Sequence, residues 1–530
     1  MLKSMDIDIN DLPNDVEGLK ALVVQLLGVL QSMQAKIETL TEEVTYWKDK
    51  HDRVLEQFKL SQQRQFGRSS EVYPDQGLLF ETALDLEEMP EAQTNASVTI
   101  SSYERRHPVR KPLPSHYPRE QIIYDLSDEE KQCTCCGEAK KKIGEAISEQ
   151  LAVVPRQHKV IQHVRYKYAC PDCQEGVSIP PMPKLLLPKS LASASLVSHI
   201  IVSKYEDHLP LYRQEGMWRR DGVQMPRRTM CEWVLKAAEQ CEPLVTRMRG
   251  GILSYDICQG DETTLQVLRE PGRRADQTSY LWVYRGGPPG KEVVLFDYQE
   301  TRQKDHPKAF LSGFKGYLQT DAYKGYDWAD QTQEITRVGC MAHARRPFAE
   351  LVKTVKGTGK AHQALSLIQK LYRVEREMTD QGLTAEQRYA YRQAKAKPLL
   401  ETLHAWLVSS YPKTPAQGAL GKAMKYMIDR WETLTNYCLD GRLCIDNNLI
   451  ENAIRPVALG RRNFLFCNTP RGAKASATLY SLLATAKAHG WNVFDYLKTL
   501  FEELPKYGQD GDLDLLLPWN LKTQVSQPCI

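Results

Sequence analysis

The chain has 530 residues, in which 70 Lys and Arg against 66 Asp and Glu give a formal charge of +4, with 42% hydrophobic and 26% charged side chains. At about 150 residues per domain this means three or four domains, and the apolar content supports real cores, which excludes a chain disordered throughout. The start, MLKSMDIDINDLPND, lacks a secretory pattern, no uninterrupted apolar stretch nears the ~18–20 residues that cross a bilayer, and thirteen cysteines, an odd number, fit a reducing cytoplasm better than a disulfide framework.

From Leu19 an apolar ladder runs through Val23, Leu26, Leu30, Met33, Ile37, Leu40, Val44, Trp47, His51, Val54 and Phe58, in steps alternating four and three. That is the roughly 3.5-residue period of a coiled-coil seam. Residues 15–65 should therefore form one long helix whose narrow stripe must be covered, best by a second copy of the chain; His51 is a tolerated seam residue near the frayed end. Residues 66–125 read as a linker, since Glu87 to Pro118 holds five prolines and few large apolar side chains. The linker's Arg105, Arg106, Arg110 and Lys111 suit either phosphates or plain solvation.

Cys133 and Cys136 form one Cys-x-x-Cys and Cys170 and Cys173 a second, 33 residues apart. Two such knuckles supply the four thiolates of a tetrahedral Zn²⁺ site, and four sulfur ligands leave no open position, so one structural zinc is expected over residues 126–188. The intervening HKVIQHVRYKYAC alternates like a strand. Cys135 leaves the register of the first knuckle open.

Over residues 189–245 the period turns helical, and Pro210, Gly222 and Pro226 divide the stretch into three short helices. With a basic start to the last, this resembles a helix-turn-helix segment: Arg227 and Arg228 would meet DNA, and Trp233 would fill the trihelical core.

Three strands are expected between Ile252 and Arg302, then a helix in DHPKAFLSGF and a fourth strand ending near Asp321. That order matches a ribonuclease-H-like α/β fold, in which Asp261 and Asp321 would meet at one sheet edge. Converging carboxylates repel unless cations lie between them, and paired Mg²⁺ ions held this way serve in-line phosphoryl chemistry. Glu451, in DNNLIENAIRP, is a third acid, sharing one helix face with Asn447 and Arg455. Asp256 and Glu262 remain rivals for the first-strand position. The distance from Asp321 to Glu451 is far longer than a strand and a helix need, and AHQALSLIQKLYRVEREM and LETLHAWLV read as helices. The catalytic domain should thus comprise residues 250–348 and 446–500, interrupted by an all-helical insertion over 349–445 and followed by a tail, 501–530.

Near the insertion, Cys340 and His343 form a Cys-x-x-His, better read as packing beside the catalytic edge than as a metal site, and Arg345 and Arg346 follow as DNA contacts. Between Asn452 and Phe494 there is no Asp or Glu, while Arg455, Arg461, Arg462, Arg471, Lys474 and Lys487 contribute +6. A basic tract beside an acidic pocket suits double-stranded DNA. Arg461 and Arg462 are assigned to backbone phosphates, Arg455 to phosphate or to Glu451.

From QFGRSSE onward the knuckles, IIVSKYEDHLPLYRQE, GDETTLQVL, FKGYLQTDAYKGY, GCMAHARRPF, NNLIENAIRPVALGRRNFLF, YSLLATAKAHG and LLPW resemble, in order, the transposases of the bacterial insertion-sequence family sixty-six (TnpC-type). The resemblance implies that Asp261, Asp321 and Glu451 are a DDE triad holding two Mg²⁺ and that the four knuckle cysteines are the family's zinc-binding region. It also implies terminal inverted repeats and target DNA as substrates, small accessory proteins of the same element as partners, and a cytoplasmic, nucleoid-associated location. Cys467-Asn468-Thr469 departs from the family's more usual Ala-Gly-Ser. Two rival readings are a non-catalytic zinc-containing DNA-binding regulator and a nuclease of the same fold that cuts without joining.

Overall fold

The computed structural model describes residues 15–66, 131, 135, 138, 158–169, 177–354, 359–508 and 511–521. The chain divides into two units, one of Leu79–Met182 and one of Met1–Leu78 with Pro183–Ile530. In the first, β1 (Tyr168–Ala169) pairs antiparallel with β2 (Val177–Ser178). The alternation of HKVIQHVRYKY becomes ladder only at its last residue and the alanine after it. Cys133, Cys136, Cys170 and Cys173 and the linker arginines lie outside the described residues, and Cys135 is exposed.

The second unit opens with α1 (Val16–Phe66), one helix of 51 residues as the heptad ladder requires. Its seam is uncovered: Val23, Leu30, Ile37, Leu40, Val44, Trp47, Val54 and Phe58 are all half or more exposed. The stretch Val16–Lys48 has the length and composition of a membrane-crossing helix, but Lys20, Gln25, Gln31, Gln34 and Lys36 interrupt it, and its pattern is a stripe rather than all-round apolarity.

Next come α2 (Ala194–Tyr205), α3 (Leu211–Arg220) and α4 (Arg227–Leu253). The punctuation at Pro210 and Gly222 holds, but α4 runs on for 27 residues instead of ending as a short helix. Trp233 is buried as expected, and Val197, Ile200, Ile201, Met230 and Leu244 join one core with the sheet that follows. The three helices do not stand apart as a trihelical module. Of the three, α4 packs on β4 and β5, while α2 and α3 pack on α4, and α2 also on helices that follow the sheet.

That sheet contains β3 (Ile257–Gln266), β4 (Thr278–Gly286), β5 (Val293–Gln299), and, after α5 (Asp305–Phe310), β6 (Gly316–Gln319) and β7 (Ile335–Val338), in the order β5-β4-β3-β6-β7. The first three strands form an antiparallel meander, while β6 and β7 run parallel to β3. The four expected strands are all present. The fifth, ITRV, is an addition.

Beyond β7 the described elements are helical as far as the acid-bearing helix: α6 (Met341–Thr354), α7 (Lys360–Asp380), α8 (Ala385–Tyr391), α9 (Lys397–Ser410), α10 (Ala419–Asp429) and α11 (Trp431–Thr435). They build a second core around Phe348, Ile368, Leu371, Leu403, Leu407, Met424 and Met427. Inside it Arg392, fully buried, donates to Glu375 through Nε at 2.9 Å and Nη2 at 2.7 Å and to the carbonyls of Tyr437, Asp440 and Leu443. One side chain thus fastens the loop that leads back toward the sheet.

The chain closes with α12 (Asn448–Phe464), α13 (Pro470–Ala488) and α14 (Val493–Tyr507). Thr469 caps α13, its hydroxyl accepting from Gly472 N–H at 3.2 Å, which is the service a serine would give there. Helix α13 is buried nearly all round and lies along β5. The Ser481 hydroxyl accepts from Phe296 N–H at 2.8 Å, and the Thr485 hydroxyl accepts from Val294 N–H at 3.0 Å and donates to Val294 O at 3.1 Å. The outer backbone groups of an edge strand are thereby satisfied by helix side chains.

Candidate active site

Asp261 lies on the central strand β3, and its position follows from local packing. The preceding Gly260 lets Tyr326 lie against the strand, since a Cβ there would sit 3.0 Å from the Tyr326 hydroxyl. The parallel register sets Gln259 opposite Gln319. Continued by two residues, it brings Asp321, just past the end of β6, beside Asp261. Asp321 is fixed by its own turn, Oδ1 accepting from Tyr323 N–H at 2.9 Å. Arg337 on β7, 5% exposed, donates to the Asp321 carbonyl and bonds Asp327 at 3.0 Å and Asp330 at 2.8 Å.

Glu451 enters from the first turn of α12, where a carboxylate complements the helix dipole. The start of that helix is pinned by Asn447, fully buried, whose Nδ2 donates to Gly260 O at 3.2 Å and whose N–H donates to Cys340 Sγ at 3.2 Å. Asn447 therefore ties the Glu451 helix to the Asp261 strand.

Burial first, then the negative charges of Glu262, Asp321 and Glu451, hold the Asp261 carboxyl well above the usual range. Its one side-chain hydrogen bond among the described residues is the 2.7 Å bond accepted from Glu262 N–H. Glu451 Oε1 is buried without a hydrogen-bond partner among the described residues. His343 Nδ1 lies 3.5 Å from it, and the Arg346 guanidinium stands 3.8 Å from Glu451 Oε2; the expected alternative of an Arg455 pair is not formed. Three crowded acids, one with an orphaned oxygen, fit a hard divalent cation, which takes carboxylate oxygens.

Both rival acids hold an arginine, although Glu262 Oε2, like Glu451 Oε1, is buried without a hydrogen-bond partner among the described residues. Asp256 receives two bonds from Arg442, at 2.9 and 2.7 Å. Glu262, its side chain 3% exposed, takes Arg302 Nε at 2.8 Å, and burial pushes its carboxyl up to about 7 against the pull of that arginine. Cys340 Sγ, a His343 ring nitrogen and a Glu451 oxygen lie within 4.8 Å of one another. Burial pushes the Cys340 thiol up and His343 down, so at neutral pH the site holds a thiol and a neutral imidazole. A thiol that accepts from Asn447 N–H fits the packing role expected for Cys340.

The arginines divide. Arg227, Arg228, Arg346, Arg455 and Arg462 are exposed. Arg345 is not: it is buried, at 6% exposure, which sets it apart from the other arginines expected to meet DNA. Arg461 donates to the carbonyl and hydroxyl of Thr264 on β3, which joins α12 to the sheet instead of leaving the side chain for a phosphate. The basic tract is also less free than its +6 suggests. Arg471 binds Glu239 at 2.6 Å and Glu232 at 3.3 Å, and Lys487 binds Glu206 at 2.9 Å. Arg337 was missed altogether, because a single arginine in a four-residue strand has no sequence signature.

Residues 189–475 match the family model described as "Transposase IS66 family". Residues 130–174, which include all four knuckle cysteines, match "zinc-finger binding domain of transposase IS66"; residues 53–122 match "Transposase C of IS166 homeodomain" and residues 481–519 "IS66 C-terminal element". Among curated relatives from Sinorhizobium fredii (strain NBRC 101917 / NGR234), Uncharacterized protein y4jD is 33% identical over 78% of this chain and 83% of its own length. Uncharacterized protein y4hP is 31% identical over 84% of each chain. Uncharacterized protein y4qI is 29% identical over 98% of this chain and 99% of its own.

Proposed function

The chain belongs to the IS66 transposase family and carries that family's zinc-finger domain, and from that premise we propose that it binds the terminal inverted repeats of an insertion sequence and cuts and joins DNA through Asp261, Asp321 and Glu451. The observation that carries this reading is the mutual crowding of the three acids, which raises the Asp261 carboxyl while Glu451 Oε1 stays unsatisfied.

Asp261 and Asp321 would hold one Mg²⁺ and Asp321 and Glu451 the other. When bound, such a pair supplies positive charge at both the attacking and the leaving oxygen of an in-line displacement. The protein's own residues do the positioning. Arg337 holds the Asp321 turn, Asn447 sets α12 against β3, and His343 and Arg346 steer the Glu451 carboxylate. Water would attack at the element end and expose a 3′ hydroxyl, which would take the place of water in strand transfer, with no covalent enzyme intermediate.

The strand order, a meander followed by two parallel strands with the first strand central, supports a ribonuclease-H-like domain over 250–348 and 446–500. The separate core of residues 349–445 supports a helical insertion. Arg227, Arg228, Arg346, Arg455 and Arg462 are the exposed candidates for phosphate contacts. Cys133, Cys136, Cys170 and Cys173 would hold one structural Zn²⁺; a metal assay giving less than one zinc per chain, with Cys170→Ser folding normally, would refute that. The uncovered seam of α1 supports pairing with a second copy, so deletion of residues 1–60 should halve the particle mass.

A pre-cut oligonucleotide of the element end and a supercoiled plasmid test the chemistry. Joined product that vanishes in Asp321→Asn and Glu451→Gln is expected. Nicking without joining would make the protein a nuclease, and binding with neither would make it a regulator.

A further inference from the structure

Helix α12 ends in a turn that its residue type resists. Leu465 sits at φ +64°, ψ −54°, and Phe466 N–H donates to Phe464 O at 2.7 Å. This is a three-residue turn of the rare positive-φ kind, strained for any side chain with a Cβ. Both flanks are clamped. Leu465 N–H bonds Arg461 O at 2.9 Å, and Phe464 folds back over Gly460, where a Cβ would lie 2.5 Å from the ring. Lys204 Nζ stands 4.1 Å from the centre of the Phe464 ring. On the far side Cys467 N–H donates to Gln266 O at 2.9 Å and Leu268 N–H to Cys467 O at 3.0 Å, which fastens the chain to the end of β3.

The clamps leave the tip itself outside. Leu465 is 63% and Phe466 43% exposed. Strain is normally offset by what it lets the fold bury, and here it presents two apolar side chains to solvent, which stability does not explain. Charge decides what the tip is for. Arg455 and Arg462 are exposed on the same helix, neither forms an ion pair among the described residues, and no acid occurs between Asn452 and Phe494. An apolar tip beside free guanidinium groups suits a nucleic-acid duplex, whose phosphates take the arginines while its stacked bases admit a wedge.

The geometry points to Leu465 and Phe466 as a rigid wedge that enters a base step of the bound DNA and unstacks it. Gln266, to which the tip is tied, is five residues along β3 from Asp261, about 17 Å at strand rise, so the opened step lies roughly five base pairs from the phosphate at the acids. This inference rests on the transposase reading of the acid site and adds how the protein would distort the end that it cuts.

The test uses the full chain without added Mg²⁺, which withholds cutting and leaves the expected structural zinc in place, with duplexes of the element's terminal repeat carrying 2-aminopurine at successive positions. A several-fold rise in fluorescence is expected at one step roughly five pairs from the cut. A duplex mismatched at that step should bind about tenfold more tightly than the paired one, because the unpairing cost is already met. Leu465→Gly relieves the positive φ while removing the side chain, so it should melt at or above the wild-type temperature and lose both effects. Phe466→Ser should lose them with the fold intact.

Binding without fluorescence change at any position overturns the wedge and leaves the transposase reading standing. Effects that persist in both variants overturn it too, as does a drop in particle mass without DNA in Leu465→Gly, which would make the tip a contact between copies. Failure to bind the repeat duplex at all sinks both readings.

Discussion

Two groups of buried acids in this protein face opposite circumstances. Glu375 takes two bonds from Arg392 and a further one from Arg388 at 3.3 Å, and Glu270, 5% exposed, takes Arg273 at 2.6 Å and Ser279 at 2.5 Å as well as the Tyr298 hydroxyl. Asp261 has a single backbone donor and three negative neighbours, and one oxygen of Glu451 has none. A carboxylate whose lone pairs are filled by the protein fixes a shape. One left short of partners in the same interior is suited to accept a cation from outside the protein, the role proposed above for Asp261 and Glu451.

That contrast breaks if the two groups respond alike to substitution. The largest effect is expected at the unsatisfied acids: Asp261→Asn, Asp321→Asn or Glu451→Gln should each lower strand transfer at least ~1,000-fold, about 4 kcal/mol, while the melting temperature holds or rises as like charges are removed. Glu375→Ala should do the reverse, costing about 3 kcal/mol of stability in a denaturant titration because it strands the Arg392 charge, with the surviving folded protein still active. Saturating Mg²⁺ should stabilise wild type by about 2.7 kcal/mol at a hundred times its dissociation constant; calorimetry should find that increment gone in Asp261→Asn and intact in Glu270→Gln.

The smallest effect sharpens the comparison at an acid in neither group. Burial raises the Asp297 carboxyl despite a 2.8 Å bond from Gln299. A folded carboxyl above its unfolded value of about 3.9 holds its proton more tightly when folded, so its contribution is complete below that pH and declines as pH rises toward the folded value. Asp297→Asn should flatten that decline in a pH series of melting temperatures.

The sheet was legible where strands are long and alternating. β3, β4 and β5 and the turn toward Asp321 follow from periodicity, and so does the helix that carries Glu451. β7 escaped because four residues, ITRV, are too few to show a period. The choice among Asp256, Asp261 and Glu262 needed partners that chain proximity does not reveal: Arg442 lies 186 residues from Asp256 and Arg302 lies 40 from Glu262. The same blindness inflated the basic tract, whose Arg471 and Lys487 are answered by acids on α4 and just past α2. Periodicity located helices α2, α3 and α4 but could not say what their apolar faces cover, so the core they share with the sheet was not legible in the sequence.

The hydroxyls of Ser481 and Thr485 occupy the backbone sites of β5 at which a strand from a neighbouring molecule would have to add. With that flank stoppered, copies gathered along DNA cannot polymerise by extending this sheet there, and any pairing of two ends must be arranged through another surface.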